Sequence, residues 1–117
     1  MHELSIAQAL VEQVEEVAAK AHALSVVRVV IAVGPLSGVD ADALGSLFPL
    51  VAEGTAAAGA ELAVQTVAIR TKCRTCGHEA EADATFAACT QCGSSDAELK
   101  AGRELMIQTI ELEIDER

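Results

Sequence analysis

Cys73-Arg74-Thr75-Cys76 and Cys89-Thr90-Gln91-Cys92 are two CxxC pairs with twelve residues between them, and they hold all four cysteines of the 117-residue chain. No other feature restricts the fold as much. Two thiolates three positions apart grip one ion from a tight turn, and a second pair completes a tetrahedral S4 shell suited to zinc. A rubredoxin-like iron site is the second metal centre that fits such a shell. Two disulfides are the competing reading. Each would close only a short loop, which stabilises little, and no secretory leader is read at the start of the sequence. The segment around the cysteines is expected to fold on its metal, which adds on the order of 10 kcal/mol to its folding.

A chain of this length suits one compact unit that buries roughly two thirds of its unfolded surface. Hydrophobic residues make up 51% of it, yet Phe48 and Phe86 are its only aromatics, so the core must be built from Ala, Val, Leu and Ile. The formal charge is −10 with neutral cysteines, and four thiolates around one Zn(II) make it more acidic still. Such a surface repels phosphates. Arg70, Lys72 and Arg74 gather near the first knuckle, but Glu79, Glu81, Asp83, Asp96 and Glu98 offset them and no stacking aromatics accompany them. That excludes a nucleic-acid zinc ribbon. Charges interrupt every apolar stretch short of a membrane span. The expected partners are therefore neither nucleic acid nor membrane, and the expected location is a reducing compartment, the cytoplasm.

From Ser5, the residues Ala7, Leu10, Val11, Val14, Val17, Ala18 and Ala21 recur at helical spacing. Ser5 and Gln8 read as a capping box, which places residues 1–4 ahead of the helix. Ser25 to Val33 is a β-branched run that reads as a buried strand, ended by Gly34-Pro35. A turn over Leu36-Ser37-Gly38-Val39 follows, and Asp40 or Asp42 caps a second helix through Leu44, Leu47, Phe48 and Val51 to near Gly54. Pro49 predicts a kink or a local break there. Glu61 to Ile69 and Leu105 to Ile114 alternate as strands. Between them, residues 71–103 lose the hydrophobic period and carry every cysteine. The order predicts an α+β fold: a small three-stranded sheet covered by two helices, with an inserted zinc-ribbon-like lobe.

The opening Met1-His2-Glu3 matters because the helix start anchors it and no histidine tract surrounds it. A bulky second residue is expected to leave Met1 in place. A free terminal amine, the backbone nitrogens of His2 and Glu3, and the His2 imidazole close fused five- and six-membered chelate rings around one ion. Planar nitrogen ligands favour Ni(II) or Cu(II) over zinc.

Met-His-Glu-Leu-Ser-Ile at positions 1–6, Gly34 with Leu36-Ser37-Gly38-Val39, the two CxxC knuckles and Gly102-Arg103-Glu104-Leu105 follow one another along nearly the whole chain. Together they resemble the HypA/HybF family of hydrogenase-maturation nickel metallochaperones. The resemblance implies a carrier that binds nickel at its N-terminus and delivers it to the [NiFe]-hydrogenase large-subunit precursor, working with the GTPase HypB. Some relatives also serve urease and its maturation proteins. It further implies that the Met1 amine, the His2 amide and imidazole and the Glu3 amide bind Ni(II), while Cys73, Cys76, Cys89 and Cys92 hold structural Zn(II). Residues 1–70 plus 104–117 would form the nickel-binding α+β domain and residues 71–103 the zinc-binding domain.

Two departures stand out. Pro35 replaces a glutamate that many relatives carry, and His78 follows the first knuckle whereas Gly93 follows the second, so a paired-histidine acid response is not expected. His78 is read as a turn residue or a donor to a cysteine sulfur, His22 as lying near the end of the first helix, and Glu12, Glu15 and Glu16 as a solvated face. No nucleophilic triad, phosphate loop or open-ligand zinc motif is present, so the chain is not read as an enzyme. The competing function is a structural zinc-ribbon adaptor that binds another protein and handles no nickel.

Overall fold

The computed structural model describes residues 2–82 and 88–114, so Met1, Asp83 and Phe86 lie outside the described residues. Helix α1 (Glu3–Lys20) leads into strand β1 (Ala23–Val33), a 3-10 turn (Pro35–Ser37), helix α2 (Ala41–Ala52) and strand β2 (Glu61–Thr66). Strands β3 (Ile69–Cys73), β4 (Glu79–Ala82), β5 (Ala97–Ala101) and β6 (Leu105–Ile114) complete the order. These strands form two sheets, β2-β1-β6 and β4-β3-β5.

β1 is the centre of the first sheet, parallel to β2 and antiparallel to β6. A parallel pair needs a crossover, and α2 supplies it. Along β1 the core side chains are Val26, Val29, Ile31 and Val33. The three-residue step from Val26 to Val29 breaks the strict alternation because the register against β6 shifts between Val26 and Arg28. Val27 is turned outward by that bulge and stands 49% exposed.

Both helices bury their apolar stripes in the cluster around this strand, α1 against β1 and α2 against α1 and β2. α1 contributes Ala7, Leu10, Val11, Val14 and Ala18, as its periodicity predicts, but Val17 stays 41% exposed. α2 contributes Leu44, Phe48 and Ala52, with Phe48 fully buried. Ile107, Ile110 and Leu112 of β6 close the same cluster. Burying a side chain the size of Phe48 is worth about 1.5–3 kcal/mol. The α+β expectation therefore holds, with a three-stranded sheet under two helices.

Three local expectations are corrected. α1 begins at Glu3, not beyond Ser5: His2 is the N-cap, no side chain caps it, and Ile6 N donates to His2 O at 3.0 Å. α2 runs through Pro49 without a break. Pro49 is exposed while Leu44, Phe48 and Ala52 on the other side are buried, so packing outweighs the one helical bond that proline removes. The predicted strand over 61–69 is two strands in different sheets. Val67 N donates to Val33 O at 3.0 Å at the end of β1, and the chain then leaves the first sheet. His22, read as lying near the end of the first helix, does so: α1 ends at Lys20, and His22 just beyond adopts φ +55°, a left-handed conformation that stops the helix.

Asp40 settles the other helix start. Its Oδ1 accepts from Asp42 N at 3.0 Å and Ala43 N at 3.2 Å, which caps α2. Among the described residues, no helix is long and apolar enough to cross a membrane.

Candidate metal centres

The two CxxC segments fold into the same turn. Gly77 N donates to Cys73 O and Gly93 N to Cys89 O, both at 2.8 Å. Cys73 N donates to His78 O and Cys89 N to Ser94 O, again at 2.8 Å. Gly77 and Gly93 take φ of +81° and +77°, which explains a glycine directly after each pair. The structural counterpart of His78 is thus Ser94 rather than Gly93.

Across the centre, Cys73 Sγ lies 3.5 Å from Cys92 Sγ and Cys76 Sγ lies 3.7 Å from Cys89 Sγ. All four sulfurs fall within 4.8 Å of one another. A tetrahedral thiolate shell with metal–sulfur bonds of about 2.3 Å has sulfur–sulfur edges of about 3.8 Å. The cluster therefore has the dimensions of a shell around one ion. Arg74 braces it from outside, donating to Asp96 Oδ1 at 2.8 Å, and Thr75 Oγ1 meets Ser94 Oγ at 2.9 Å. These contacts tie the first knuckle to the second.

Backbone amides aim at the sulfurs and split their acidities. The Cys76 N–H, against the opposing pull of burial and aided by the Thr75 N–H, draws the Cys73 thiol down to about 6. Cys89 is lowered by the N–H groups of Cys92 and Gln91, the latter 3.4 Å from its sulfur. The Ser94 N–H favours a Cys92 thiolate, but the Cys73 sulfur, burial and the other two sulfurs outweigh it and push that thiol up to about 12. Cys76 is raised as well: the His78 N–H acts downward and is outweighed by burial and by the Cys89 and Cys73 sulfurs. Four adjacent thiolates repel one another. A divalent cation removes that conflict, so this donor set suits a metal ion better than four free thiols.

His2 and Glu3 sit at the other candidate centre. His2 is exposed at the N-cap of α1, ahead of the helical hydrogen-bond ladder, which starts with the Ile6 amide. Glu3 is half-buried, and its Oε2 accepts from Asp40 N at 3.2 Å. The first turn of α1 is thereby pinned to the cap of α2. Sequence reasoning missed this contact, because Glu3 and Asp40 are far apart in the chain and only the packing of α1 against α2 joins them. Met1, the third member of the predicted nickel set, lies outside the described residues. Among the described residues, the cysteine cluster is the one group of three or more metal-ligating side chains close enough to share an ion.

A second missed feature joins the two sheets. Gly34 N donates to Glu104 O at 2.8 Å and Leu36 N to Gly102 O at 2.7 Å. A Cβ on Gly34 would stand 2.1 Å from Gly102 O, so only glycine permits that approach. The signal was present in the sequence as isolated glycines beside strand ends, but not their pairing.

Comparison with known proteins agrees with this geometry. The family model described as "Hydrogenase/urease nickel incorporation, metallochaperone, hypA" matches residues 1–112. The hydrogenase maturation factor HypA of Aquifex aeolicus is 37% identical over 115 residues, covering 98% of this chain and 100% of that one. HypA of Synechococcus sp. is 42% identical over 112 residues, covering 96% and 99%. The solution structure of the Ni metallochaperone HypA from Helicobacter pylori superimposes with a TM-score of 0.69 at 26% identity, covering 98% of this chain and all of the other. With its fold and nearly all of its length matched in this way, the chain belongs to the HypA family, the nickel metallochaperones of hydrogenase and urease nickel incorporation.

Proposed function

We propose that the chain captures Ni(II) with the Met1 amine, the His2 amide and imidazole nitrogens and the Glu3 amide, and hands it to the hydrogenase large-subunit precursor in concert with the GTPase HypB. Nickel is cargo here, not a resident cofactor. Residues 1–70 plus 104–117 handle it, while Cys73, Cys76, Cys89 and Cys92 hold structural Zn(II) in residues 71–103. The observation that carries this reading is His2 exposed at the N-cap of α1, next to a Glu3 anchored on α2.

The chemistry follows from position. A helix N-terminus carries partial positive charge and repels a bare cation. Loss of the His2 and Glu3 amide protons on chelation supplies two negative charges, which balance Ni(II) and relieve that repulsion. Capture therefore weakens as acid competes for the nitrogens. Release is equally local, since a site at the exposed His2 can pass its ion to a partner's ligands without opening the core. The cysteine shell has no open position for a reacting water, so its metal shapes the lobe and does no chemistry. Membership of a nickel metallochaperone family leaves the adaptor reading without support.

Nickel titration of untagged, zinc-loaded protein tests the proposal. Wild type is expected to bind one Ni(II) per chain with a planar-nitrogen absorption band. His2→Ala, or any residue fused ahead of Met1, is expected to abolish that band while zinc content stays unchanged. Equal nickel binding by all three proteins would refute the claw.

A further inference from the structure

The Gly102-Arg103-Glu104-Leu105 run belongs to neither metal centre, yet its hydrogen bonds lead to one of them. The geometry points to Glu104 as a positioning residue for nickel capture: through Gly102 and residues 34–40 it fixes the Asp40 amide that anchors Glu3. The inference rests on the reading of residues 1–3 as the nickel claw.

The path is continuous. Glu104 Oε1 accepts from Gly102 N at 2.7 Å, and Glu104 O accepts from Gly34 N at 2.8 Å. Gly102 lies at φ +130°, where a Cβ would press to 3.0 Å from Ile69 Cγ1 and 3.2 Å from its Cα. So held, Gly102 presents its carbonyl to Leu36 N at 2.7 Å. Ser37 N then closes the 3-10 turn on Gly34 O at 3.1 Å, and Ser37 Oγ accepts from Val39 N at 3.2 Å. The next residue is Asp40, whose side chain caps α2 while its own N–H donates to Glu3 Oε2 at 3.2 Å.

Each link fixes the next, and Val39, packed against the core cluster, supports the segment just ahead of Asp40. Pro35 stiffens the middle of the segment by fixing its own φ. Gly34 is buried at the start and Asp40 is locked as a cap at the end. The side-chain link at the start of the path, which a conservative substitution can switch on or off, is the Glu104 carboxylate. Removing its Oε1 leaves the Gly102 N–H without its acceptor, frees the Gly102 carbonyl to turn from Leu36, and lets the Asp40 amide drift from Glu3. Groups that orient a metal ligand typically change affinity 10- to 100-fold when lost. Acting through several bonds, Glu104 belongs at the low end, about tenfold.

The test compares untagged, zinc-loaded wild type with Glu104→Ala, Glu104→Gln and His2→Ala, reading nickel affinity, zinc per chain and the Asp40 amide resonance. Glu104→Ala is expected to weaken nickel binding about tenfold and shift the Asp40 resonance, with zinc content unchanged. Glu104→Gln keeps an oxygen at the same place and is expected to restore both readings to within about twofold of wild type. Should Glu104→Ala fail to fold, Glu104→Asp, which keeps the charge but not the reach, is expected to show the same loss. Wild-type nickel affinity in Glu104→Ala or Glu104→Asp overturns the inference, as does an equal loss in Glu104→Gln. His2→Ala separates the two readings: if it keeps full binding the claw itself is wrong, whereas loss there with wild-type affinity in Glu104→Ala sinks only the role of Glu104.

Discussion

Replacing Gly34 by alanine should be among the most damaging single-methyl additions in the chain. Gly34 has φ −93° and ψ 154°, an extended conformation open to any residue, so the cost is purely steric. The new Cβ would lie 2.1 Å from Gly102 O, 2.3 Å from Gly102 C and 2.9 Å from Arg103 N, all of them backbone atoms. No rotamer change relieves that. The strands must part by more than an ångström, which breaks the Gly34–Glu104 and Leu36–Gly102 hydrogen bonds. Two bonds at about 0.5–1.5 kcal/mol each, with overpacking strain of about 1–3 kcal/mol, give a loss of about 2–6 kcal/mol. Gly45→Ala is the control, because a Cβ there meets nothing within 4 Å and the residue sits inside α2. That change should stabilise by about 0.5–1 kcal/mol. Urea unfolding of zinc-loaded protein followed by circular dichroism measures both, since the chain has no Trp or Tyr. A Gly34→Ala loss below about 1 kcal/mol would refute the steric argument.

Two further outcomes are expected. Zinc loading of the metal-free protein at pH 7 should release at least the protons of Cys76 and Cys92, whose thiols are raised, whereas Cys73, drawn down to about 6, is already a thiolate. Affinity must then fall as pH falls, and calorimetry in buffers of different ionisation enthalpy counts the protons; release of none would contradict the assigned thiol states. Pro49→Ala should raise stability by up to about 3 kcal/mol in the same urea assay, because an exposed helix-interior proline is replaced without loss of packing. Unchanged or lowered stability would mean that α2 depends on the ring.

The comparison of sequence with structure separates along the range of the interactions involved. Short-range chemistry was legible. The CxxC spacing foretold a shell of four sulfurs, the three-and-four period foretold the buried stripe of α1, and alternation foretold β6. The cap of α2 could be narrowed to Asp40 or Asp42 because capping acts within three residues, and the structure selects Asp40. Val17 shows where periodicity stops being enough, since its place on the stripe did not bury it.

What tertiary structure alone decided was every contact between distant segments. The apparent strand over 61–69 divides because β1 offers pairing only as far as Thr66, after which Ile69 begins a ladder with β4 and β5. Pro49 stays within a continuous helix because Phe48 and its neighbours are held by the core. Glu3 finds the Asp40 amide, and Gly34 finds Gly102, only after α1, α2 and the two sheets have packed. The sequence by itself determined which residues offer metal-ligating atoms, because ligand chemistry belongs to residue types and their spacing. The packed chain determined which distant groups meet, as Glu3 meets the Asp40 amide and Gly34 meets Gly102, because such close approaches depend on three-dimensional geometry that no local pattern records.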